Sequence, residues 1–380
     1  MAHVYLDHNA TTPVDERVLE AMLPYFSREF GNPSSRHEYG TRARRAVDVA
    51  REQVADAVGV QPAQVTFVST GSEANNLFIK GAAAYLKPSQ IAVSAIEHSC
   101  VANPAKELAR AGWTLRRVAV DGQGRVDLDD LDAALAEPTG LVAVMLANNE
   151  TGVIQDVAAA AERARARGAW VHTDAVQALG KIPVDFRELQ VHSMSLAAHK
   201  LYGPKGAGAL ILDKRVSVQP LTHGGGHEGG LRSGTENVPA IVGFGVACQI
   251  AMGRQADDAA RLRPLQRRLE ERLQALGATV FGAGAARLPN TTFFGFEGIT
   301  GETLVIELDR AGFAAGTGSA CSSGSPGSPV LLAMGYDTPL ARAGVRASLG
   351  RSTSAEEVDR FAEEVGRIVD RLKRLSAIAV

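Results

Sequence analysis

Side chains that could do chemistry follow successive predicted strands of this 380-residue chain. A turn with the sequence STGSE follows the strand QVTFVS, and an asparagine pair follows LVAVMLA. Ligands of open parallel sheets bind beyond the carboxyl ends of the strands, so we expect these side chains to converge at one edge. The residues at these strand ends are Thr70, Gly71, Ser72, Glu73, His98, Asn148, Asn149, Glu150, Asp174, Gln177, His199 and Lys200.

The STGSE turn joins a strand to a helix, which leaves free backbone N–H groups and the positive end of the helix dipole available to a ligand. This pattern favours phosphate binding at Gly71 and Ser72. A plain capping box between Thr70 and Glu73 explains the same residues equally well. The chain has no GxxxxGK[ST] loop and no GxGxxG between a strand and a helix, which argues against a nucleoside triphosphate or a dinucleotide.

Lys200 becomes informative when it is considered together with Asp174. A lysine at a strand end is usually a solvated charge. Pyridoxal phosphate, however, requires a lysine for its Schiff base, a carboxylate at its pyridinium nitrogen and a phosphate anchor. A buried lysine near another cation also loses its proton more easily. The set favours this cofactor, with His98 either stacked on its ring or serving as an ordinary capped or core histidine.

Arg346 lies in the strand-like run GVRASL among small and apolar neighbours. Its planar guanidinium could bind a carboxylate ligand through two hydrogen bonds or form an internal salt bridge. The glycine-rich segment LTHGGGHEGGLRSGT (residues 221–235) is predicted to be a functional or disordered loop. Neither HEGGL nor any cysteine–histidine cluster has the spacing of zinc ligands, so no bound metal is predicted.

Cys321 stands in the segment AAGTGSACSSGSPGSP, which has no apolar neighbours that could bury a thiol. Glycine and serine would give this segment conformational freedom. Cys100 and Cys248 lie in apolar or helical runs and are predicted to be packing residues. Three cysteines, far apart and odd in number, fit a reducing compartment.

Apolar strands alternate with helices of about 10 to 15 residues, which is typical of a parallel sheet covered on both faces. The predicted fold is α/β: a large domain with a mostly parallel sheet, plus a smaller α+β domain. After Arg254 a highly charged amphipathic helix indicates the passage between them. We predict a cofactor-binding domain over 10–255 and a small domain over 256–380, joined by 1–9, that carries Cys321.

The composition is that of a globular protein, with 45% hydrophobic and 22% charged residues and a formal net charge of −2. Basic and acidic residues are interspersed along the sequence, so no basic surface for binding nucleic acid or an anionic membrane is predicted. No apolar run approaches the roughly 20 residues of a membrane helix, and MAHVYLDHNATTP lacks the regions of a signal peptide. The sequence predicts a cytoplasmic protein.

Motifs throughout the chain resemble those of the cysteine desulfurases, which are fold-type I pyridoxal-phosphate enzymes of aminotransferase class V. The motifs are LDHNATTPVD, EHSCV, ANNETGVIQD, HTDAVQALGK, SLAAHKLYGPKG, GGGHEGGLRSGTEN and GTGSACSSGSP. The resemblance implies conversion of L-cysteine to L-alanine, with the sulfur passing to an enzyme cysteine as a persulfide. It also implies a homodimer that supplies a sulfur-acceptor or scaffold protein for iron–sulfur cluster, thio-cofactor or tRNA synthesis.

The resemblance also implies roles for individual cofactor-binding residues. Lys200 would hold the cofactor covalently and shuttle protons, and Asp174 would pair with the pyridinium nitrogen. His98 would stack on the ring and help with proton transfer. The ring's phenolic oxygen and the substrate would be contacted by Gln177 and Asn149, and the phosphate by Gly71, Ser72, His199 and, from the other subunit, Thr235.

For the substrate, the resemblance implies that Arg346 clamps the carboxylate with Asn32 nearby, and that Cys321 receives the sulfur. The position of Cys321 resembles that of the long-loop subgroup. One departure is Ala197, where relatives have a serine whose hydroxyl would bind the phosphate. Selenocysteine lyase, a class V aminotransferase and a scaffold without activity are the alternatives. Cys321 argues against an aminotransferase, and the set of Lys200, Asp174 and Cys321 argues against a silent scaffold.

Overall fold

The computed structural model describes residues 3–317 and 327–378, with side chains up to residue 375. Its strands are β1 (Val4–Tyr5), β2 (Val65–Val68), β3 (Gln90–Ser94), β4 (Thr114–Val118), β5 (Thr139–Ala143), β6 (Trp170–Asp174), β7 (Ser193–Ala197), β8 (Gly208–Leu212), β9 (Thr279–Val280), β10 (Thr291–Gly295), β11 (Phe313–Ala314) and β12 (Val345–Ser348).

The helices surround these strands and connect them. They are α1 (Glu16–Met22), α2 (Pro24–Ser27), α3 (Glu38–Ala57), α4 (Gly71–Tyr85), α5 (Ser99–Leu108), α6 (Leu128–Ala134), α7 (Val157–Ala166), α8 (Val238–Ala275), α9 (Gly301–Arg310), α10 (Pro329–Ala333), α11 (Thr338–Arg342) and α12 (Ala355–Ile378).

A seven-stranded sheet with the order β2-β8-β7-β6-β5-β3-β4 forms the centre of the fold. Strands β4, β3, β5, β6 and β7 are parallel to one another, whereas β8 is antiparallel to both β2 and β7. β3, β6 and β7 are buried almost throughout because helices cover both faces of the sheet. The predicted α/β class with a mostly parallel sheet is confirmed. β8 was not identified from the sequence, although its residues GALIL are apolar.

Short polar side chains start the helices that follow the strands. Thr70, Asp127 and Asp156 each accept a hydrogen bond from a backbone N–H in the first turn of α4, α6 and α7 respectively. Such caps satisfy donors that have no intrahelical acceptor. Because each cap comes directly after a strand or loop at the sheet edge, the sequence fixes where each helix leaves the sheet.

A second hydrophobic core lies outside the large sheet. It contains Val4 and Leu6 from the N-terminus, Leu262 from α8 and Phe361 from α12. The antiparallel sheet β12-β10-β9 and the parallel pair β1–β11 belong to this region. We propose that 256–380 with 1–9 form the small domain and 10–255 the large one.

The proposed boundary falls inside α8, a continuous helix of 38 residues. Ile241 and Phe244 in its first half pack in the core of the large sheet, whereas Leu269 and Leu273 in its second half pack in the second core. One rigid element therefore joins both cores.

At the start of α12, Ser354 and Glu357 form the reciprocal hydrogen bonds of a capping box, with N···O distances of 2.8 and 3.1 Å.

Among residues 3–317 and 327–378, no helix combines the length and the apolar character needed to cross a lipid bilayer.

Candidate active site

A cavity of about 390 Å³ lies at the carboxyl ends of the parallel strands. This is the edge at which open α/β sheets bind ligands. The sequence-predicted residues that line it are Gly71, Ser72, His98, Asn149, Asp174, Gln177, His199, Lys200 and Arg346. Asn9, Ala10, Thr70, Asn75, Cys100, Met145, Val176 and Ala197 complete the lining. Residues spread over more than 330 positions of sequence are thus brought to one place.

Lys200 ends a short 3₁₀ turn, Ala198–Lys200, that follows β7 directly. Its Nζ donates hydrogen bonds to the backbone oxygens of Asn9 (2.6 Å) and Ala10 (2.7 Å). Burial, and then the positive charge of Arg346, lower the pKa of Lys200 to about 8. The amine is therefore deprotonated, and so nucleophilic, in a larger fraction of molecules near neutral pH than a solvated lysine.

Asp174 is the last residue of β6 and is only 6% exposed. Its Oδ1 accepts a hydrogen bond from the backbone N–H of Val176 (2.9 Å), and its Oδ2 accepts one from Asn75 Nδ2 (2.7 Å). Both oxygens have donors, so the orientation of the carboxylate is fixed while it still lines the cavity. A fixed buried carboxylate can hold a proton on a ligand nitrogen.

The N-terminus of α4 also lines the cavity. Thr70 Oγ1 accepts a hydrogen bond from Glu73 N (3.0 Å), but Glu73 Oε2 accepts from Ser69 N (2.8 Å) rather than from Thr70 N. Only half of the predicted capping box is therefore formed. A Cβ added at Gly71 would lie 2.7 Å from Val176 Cγ2, so glycine is required for this close packing. First-turn N–H groups and the helix dipole make this end suitable for an anion.

His199 and Ala197 border the same end of the cavity. Burial and the cations Lys200, Lys205 and Lys181 lower the pKa of His199 to about 4, so its imidazole is neutral. His199 Nδ1 lies 3.1 Å from Thr11 Oγ1. Ala197 contributes no hydroxyl, so the groups that could bind an anion there include the first-turn backbone of α4, the hydroxyl of Ser72 and the imidazole.

Gln177 is held between the large domain and the N-terminal segment. Its Nε2 donates to the backbone oxygen of Asn9 (2.9 Å), and its Oε1 accepts from Lys181 Nζ (2.7 Å). Asn9 is 1% exposed and also accepts from Lys181 Nζ through Oδ1 (3.2 Å). Burial, Lys200 and Arg346 lower the pKa of Lys181 well below the value of a solvated lysine. Two lysines therefore have hydrogen bonds to the same asparagine.

Arg346 lies on β12 and is 6% exposed. Its Nη2 forms an ion pair with Asp7 Oδ1 at 2.7 Å, and its Nη1 donates to the backbone oxygen of Asn149 at 2.9 Å. Its Nε is buried without a hydrogen-bond partner. The internal salt bridge predicted as one alternative is formed, and the guanidinium still borders the cavity, where binding of a carboxylate ligand stays a prediction. A cation there can attract a substrate carboxylate.

His98 caps α5: its Nδ1 accepts a hydrogen bond from Cys100 N at 3.2 Å and lies 2.8 Å from Cys100 Sγ. The interpretation of His98 as a helix cap is thus met, and the same residue lines the cavity. The prediction of Cys100 as a packing residue is wrong, because the first turn of α5 brings its thiol into the cavity lining. Cys248, in α8, is fully buried among apolar residues as predicted.

Among the described residues, five that the sequence analysis named are not in the cavity lining: Asn32, Glu73, Asn148, Glu150 and Thr235. Thr235 is exposed, and so is Asn32, whose Oδ1 accepts from Ser34 N at 2.9 Å. Cys321 lies outside the described residues. The loop that contains Thr235 is held by ion pairs on either side: Arg51 with Glu228 and Arg44 with Glu236.

Sequence reasoning missed Asn9, Asn75 and Lys181. Asn75 could have been found, because it is a polar residue on the buried side of α4 two positions after the STGSE segment. The hydrogen bonds of Asn9 depend on folding of the N-terminal segment against distant strands, which no local pattern predicts. Within 3–317 and 327–378, no cluster of three or more His, Cys, Asp or Glu side chains is arranged to hold a metal ion.

The chain matches the family model "Aminotransferase class-V" over residues 4–361. "Cysteine desulfurase 2" of Trichormus variabilis is 42% identical over 380 residues, covering 99% of this chain and 95% of that protein.

Two solved structures are similar along most of their length. A "NifS-like protein" has a TM-score of 0.92 and 38% identity, covering 97% of this chain and 99% of the other. "SspA in complex with cysteine" has a TM-score of 0.80 and 32% identity, covering 91% and 98%. The family model, the sequence relative and the two structures each match most of the chain. The chain therefore belongs to the class-V aminotransferase family and, within it, to the cysteine desulfurases.

Proposed function

We propose that this chain is a pyridoxal-phosphate-dependent cysteine desulfurase that converts L-cysteine to L-alanine and carries the sulfur as a persulfide on Cys321. The observation that supports this most strongly is the meeting of Lys200 and Asp174 in one cavity with the N-terminus of α4. A nucleophilic amine, a fixed carboxylate and an anion-binding helix end are the three groups that this cofactor requires.

The residues present fit the cofactor. The amine of Lys200 is bonded to backbone oxygens and not to a carboxylate, so no ion pair competes for it at Nζ. Glycine at position 71 keeps the start of α4 free of a side chain that would collide with Val176. The phosphate would be held by the first-turn N–H groups of Gly71 and Ser72 and by His199. Ala197 offers no hydroxyl for it.

When bound, pyridoxal phosphate supplies an acceptor for the electron pair released at the substrate carbon. The chain's residues then act around it. Asp174 holds a proton on the pyridine nitrogen, because a buried carboxylate with two donors of its own favours a cation beside it. His98 would lie over the ring, Gln177 and Asn149 would bind its phenolic oxygen and the substrate, and Lys200 would move protons at the substrate carbon.

The substrate would be oriented by charge. Arg346 is buried, borders the cavity and keeps an unpartnered Nε, and it would bind the carboxylate of L-cysteine. The SspA structure, which resembles this chain, is a complex with cysteine. Asn32, exposed here, would approach the same carboxylate in the assembled enzyme.

The sulfur step needs a second thiol, which we assign to Cys321. Its thiolate attacks the sulfur of the bound cysteine, so that the carbon–sulfur bond breaks and a sulfur–sulfur bond forms. The carbon that loses sulfur takes up a proton and leaves as alanine, and the enzyme retains the persulfide. Cys100 is a poor candidate for this role, because burial and Asp174 raise the pKa of its thiol to about 12. An acceptor protein for iron–sulfur cluster, thio-cofactor or tRNA synthesis would then take the sulfur.

We also propose that the active enzyme is a homodimer. Consecutive elements at the N-terminus leave large apolar side chains in solvent, including Phe26 (63% exposed) and Phe30 (66% exposed). Leu19, Leu23 and Tyr39 extend this apolar surface. Exposed patches of this kind mark protein interfaces. Thr235, which the family resemblance assigns to the phosphate of the other subunit, is exposed here. The cytoplasmic location stays a prediction.

The test is to measure alanine and sulfide formed from L-cysteine by the purified, cofactor-loaded protein in the presence of a thiol reductant. A Cys321→Ala variant and a Cys248→Ala variant serve as test and control. We expect wild type and Cys248→Ala to form alanine, and Cys321→Ala to lose the activity and the added sulfur seen by mass spectrometry. Full turnover in Cys321→Ala would refute the persulfide step, and turnover of amino-group acceptors instead of cysteine would indicate an aminotransferase.

A further inference from the structure

Asn75 occupies the centre of a buried hydrogen-bond network beneath the cavity. It lies on α4, is fully buried, and contacts three residues of two other elements through one amide group. Nδ2 lies 2.7 Å from Asp174 Oδ2 and 3.0 Å from Cys100 Sγ, whereas Oδ1 lies 2.7 Å from His172 Nε2. Strand β6, helix α5 and helix α4 are thereby linked at a single side chain.

The chemistry of the partners fixes the direction of each hydrogen bond. A carboxylate only accepts, so the NH₂ group of Asn75 must face Asp174 and its oxygen must face His172. His172 therefore donates from Nε2. Burial lowers the pKa of His172 to about 3, so the ring is neutral and its Nδ1 carries no proton. Nδ1 can then accept from Ser193 Oγ at 2.7 Å, while Phe78 stacks on the ring at 4.9 Å between centroids.

The second N–H of Asn75 is connected to His98 through the thiol of Cys100. Because burial raises the pKa of Cys100, its sulfur is a protonated thiol that accepts from Asn75 and can donate to His98 Nδ1 at 2.8 Å. The backbone N–H of Cys100 points to the same nitrogen at 3.2 Å. Two donors at Nδ1 leave the proton of a neutral His98 on Nε2.

The network connects two side chains that would act on the ring: Asp174 at its nitrogen and His98 over one face. Both N–H groups and the oxygen of the Asn75 amide have a hydrogen-bond partner in this network. Aspartate at position 75 would place a second carboxylate against Asp174, and leucine would leave Asp174 Oδ2 and His172 Nε2 without this partner.

We propose that Asn75 is a positioning residue that bridges the Asp174 carboxylate to His172 on one side and, through the Cys100 thiol, sets the tautomer of His98 on the other. This inference rests on the proposed function, because it concerns how Asp174 and His98 present themselves to pyridoxal phosphate. Asn75 acts through these neighbours and has no chemical step of its own.

The first test reads the tautomers in the protein without cofactor. Histidine labelled with a magnetic nitrogen isotope gives long-range proton–nitrogen NMR spectra in which the two neutral tautomers have distinct patterns. His172→Gln and His98→Gln identify the two signals. We expect both rings of the wild type to carry the proton on Nε2, and we expect Asn75→Leu to alter both signals. A wild-type His172 with its proton on Nδ1 would overturn the proposal.

The second test measures the dissociation constant of pyridoxal phosphate on the protein stripped of cofactor. Loss of a hydrogen bond to a charged group predicts binding about tenfold weaker in Asn75→Leu. Asn76→Leu is the matched control, since the neighbouring Asn76 donates to Ser72 O at 2.9 Å and contacts neither Asp174 nor His172. The control should stay within about twofold of the wild type.

A pair of variants at position 172 separates positioning from packing and does not depend on the folding of Asn75→Leu. His172→Phe keeps a ring for Phe78 but removes the donor to Asn75, whereas His172→Gln keeps an N–H donor. Weaker cofactor binding in the phenylalanine variant with recovery in the glutamine variant supports the proposal. Equal binding by wild type, Asn75→Leu and His172→Phe would overturn it. A wild type that binds no pyridoxal phosphate would instead refute the proposed function, while the NMR test would still decide the network.

Discussion

Beneath the cavity, the buried side chain of Asn75 is hydrogen-bonded to both Asp174 and His172. Along α1, α2 and the start of α3, by contrast, large apolar side chains face solvent. The first region is held by strands and helices of one chain. The second exposes Phe26 and Phe30, and the exposed Thr235 does not line the cavity.

The two regions differ in whether one chain is enough to hold them in place. One chain fixes the groups that would act on the cofactor ring, because burial and mutual hydrogen bonds leave them few alternatives. In the homodimer that we propose, a second copy would cover the apolar surface and the loop of Thr235. Variants in the first region should therefore affect chemistry and cofactor spectra, whereas variants in the second should first affect the oligomeric state.

The largest effect is expected for Lys200→Ala. Removing the amine eliminates both the covalent link and the proton shuttle, so turnover of L-cysteine should fall by about 100- to 10,000-fold or more. The visible absorption of the bound cofactor should also disappear. Lys205→Ala, which changes an exposed lysine five positions along, is the control. A normal absorption band in Lys200→Ala would mean that another amine holds the cofactor.

Asp174→Asn should have the next largest effect. The amide can no longer stabilise a proton on the ring nitrogen, and loss of one such electrostatic contact costs about 100- to 1,000-fold in kcat. Steady-state kinetics on L-cysteine would measure it, with Asp213→Asn, which directly follows β8 and does not line the cavity, as control. Unchanged kcat in Asp174→Asn would show that the carboxylate has only a structural role.

Arg346→Lys keeps a positive charge beside Asp7 but loses the planar fork. Because the substitution removes hydrogen bonds between the guanidinium and the substrate carboxylate, KM for L-cysteine should rise by about tenfold, with a smaller change in kcat. Substrate-saturation curves separate the two constants. An unchanged KM would assign Arg346 to the internal ion pair alone.

On the apolar surface, Phe26→Glu combined with Phe30→Glu should weaken self-association by about 30-fold or more, as expected for aromatic anchors at an interface. Analytical ultracentrifugation measures the shift, and activity per chain should fall with it. Leu375→Glu alters a side chain that is 59% exposed at the opposite end of the sequence and serves as control. A dimer that persists in the double variant would place the interface elsewhere.

A smaller effect is expected from pH. The pKa of Lys200 is lowered to about 8, and only the neutral amine reacts with an aldehyde. The rate at which pyridoxal phosphate joins the cofactor-free protein should therefore rise by about fivefold between pH 7 and pH 8 and level off above. Stopped-flow absorbance records this profile. A rate that continues to rise to pH 10 would mean that the amine titrates like a solvated lysine.

The sequence predicted the parallel strands and the residues at their ends because apolar runs and helix caps are local signals. Asp174 ends β6, and His199 and Lys200 lie in the turn that follows β7, so the sheet alone brings them together. Asn9 and Arg346 reach the cavity through long-range pairing, since Asn9 N donates to Ser348 Oγ at 2.9 Å next to β12. No local pattern encodes that approach. Cys100 was misjudged because a helix-forming context does not reveal which side of the first turn faces the cavity.

The most direct measurement is to incubate the protein with pyridoxal phosphate, reduce it with borohydride and locate the modified residue by peptide mapping. Lys181 makes the test discriminating, because it too is buried and shares Asn9 as a hydrogen-bond partner with Lys200. The account predicts that the cofactor is trapped on Lys200 and that Lys181 remains unmodified. Trapping on Lys181, or no trapping on either lysine, would contradict it.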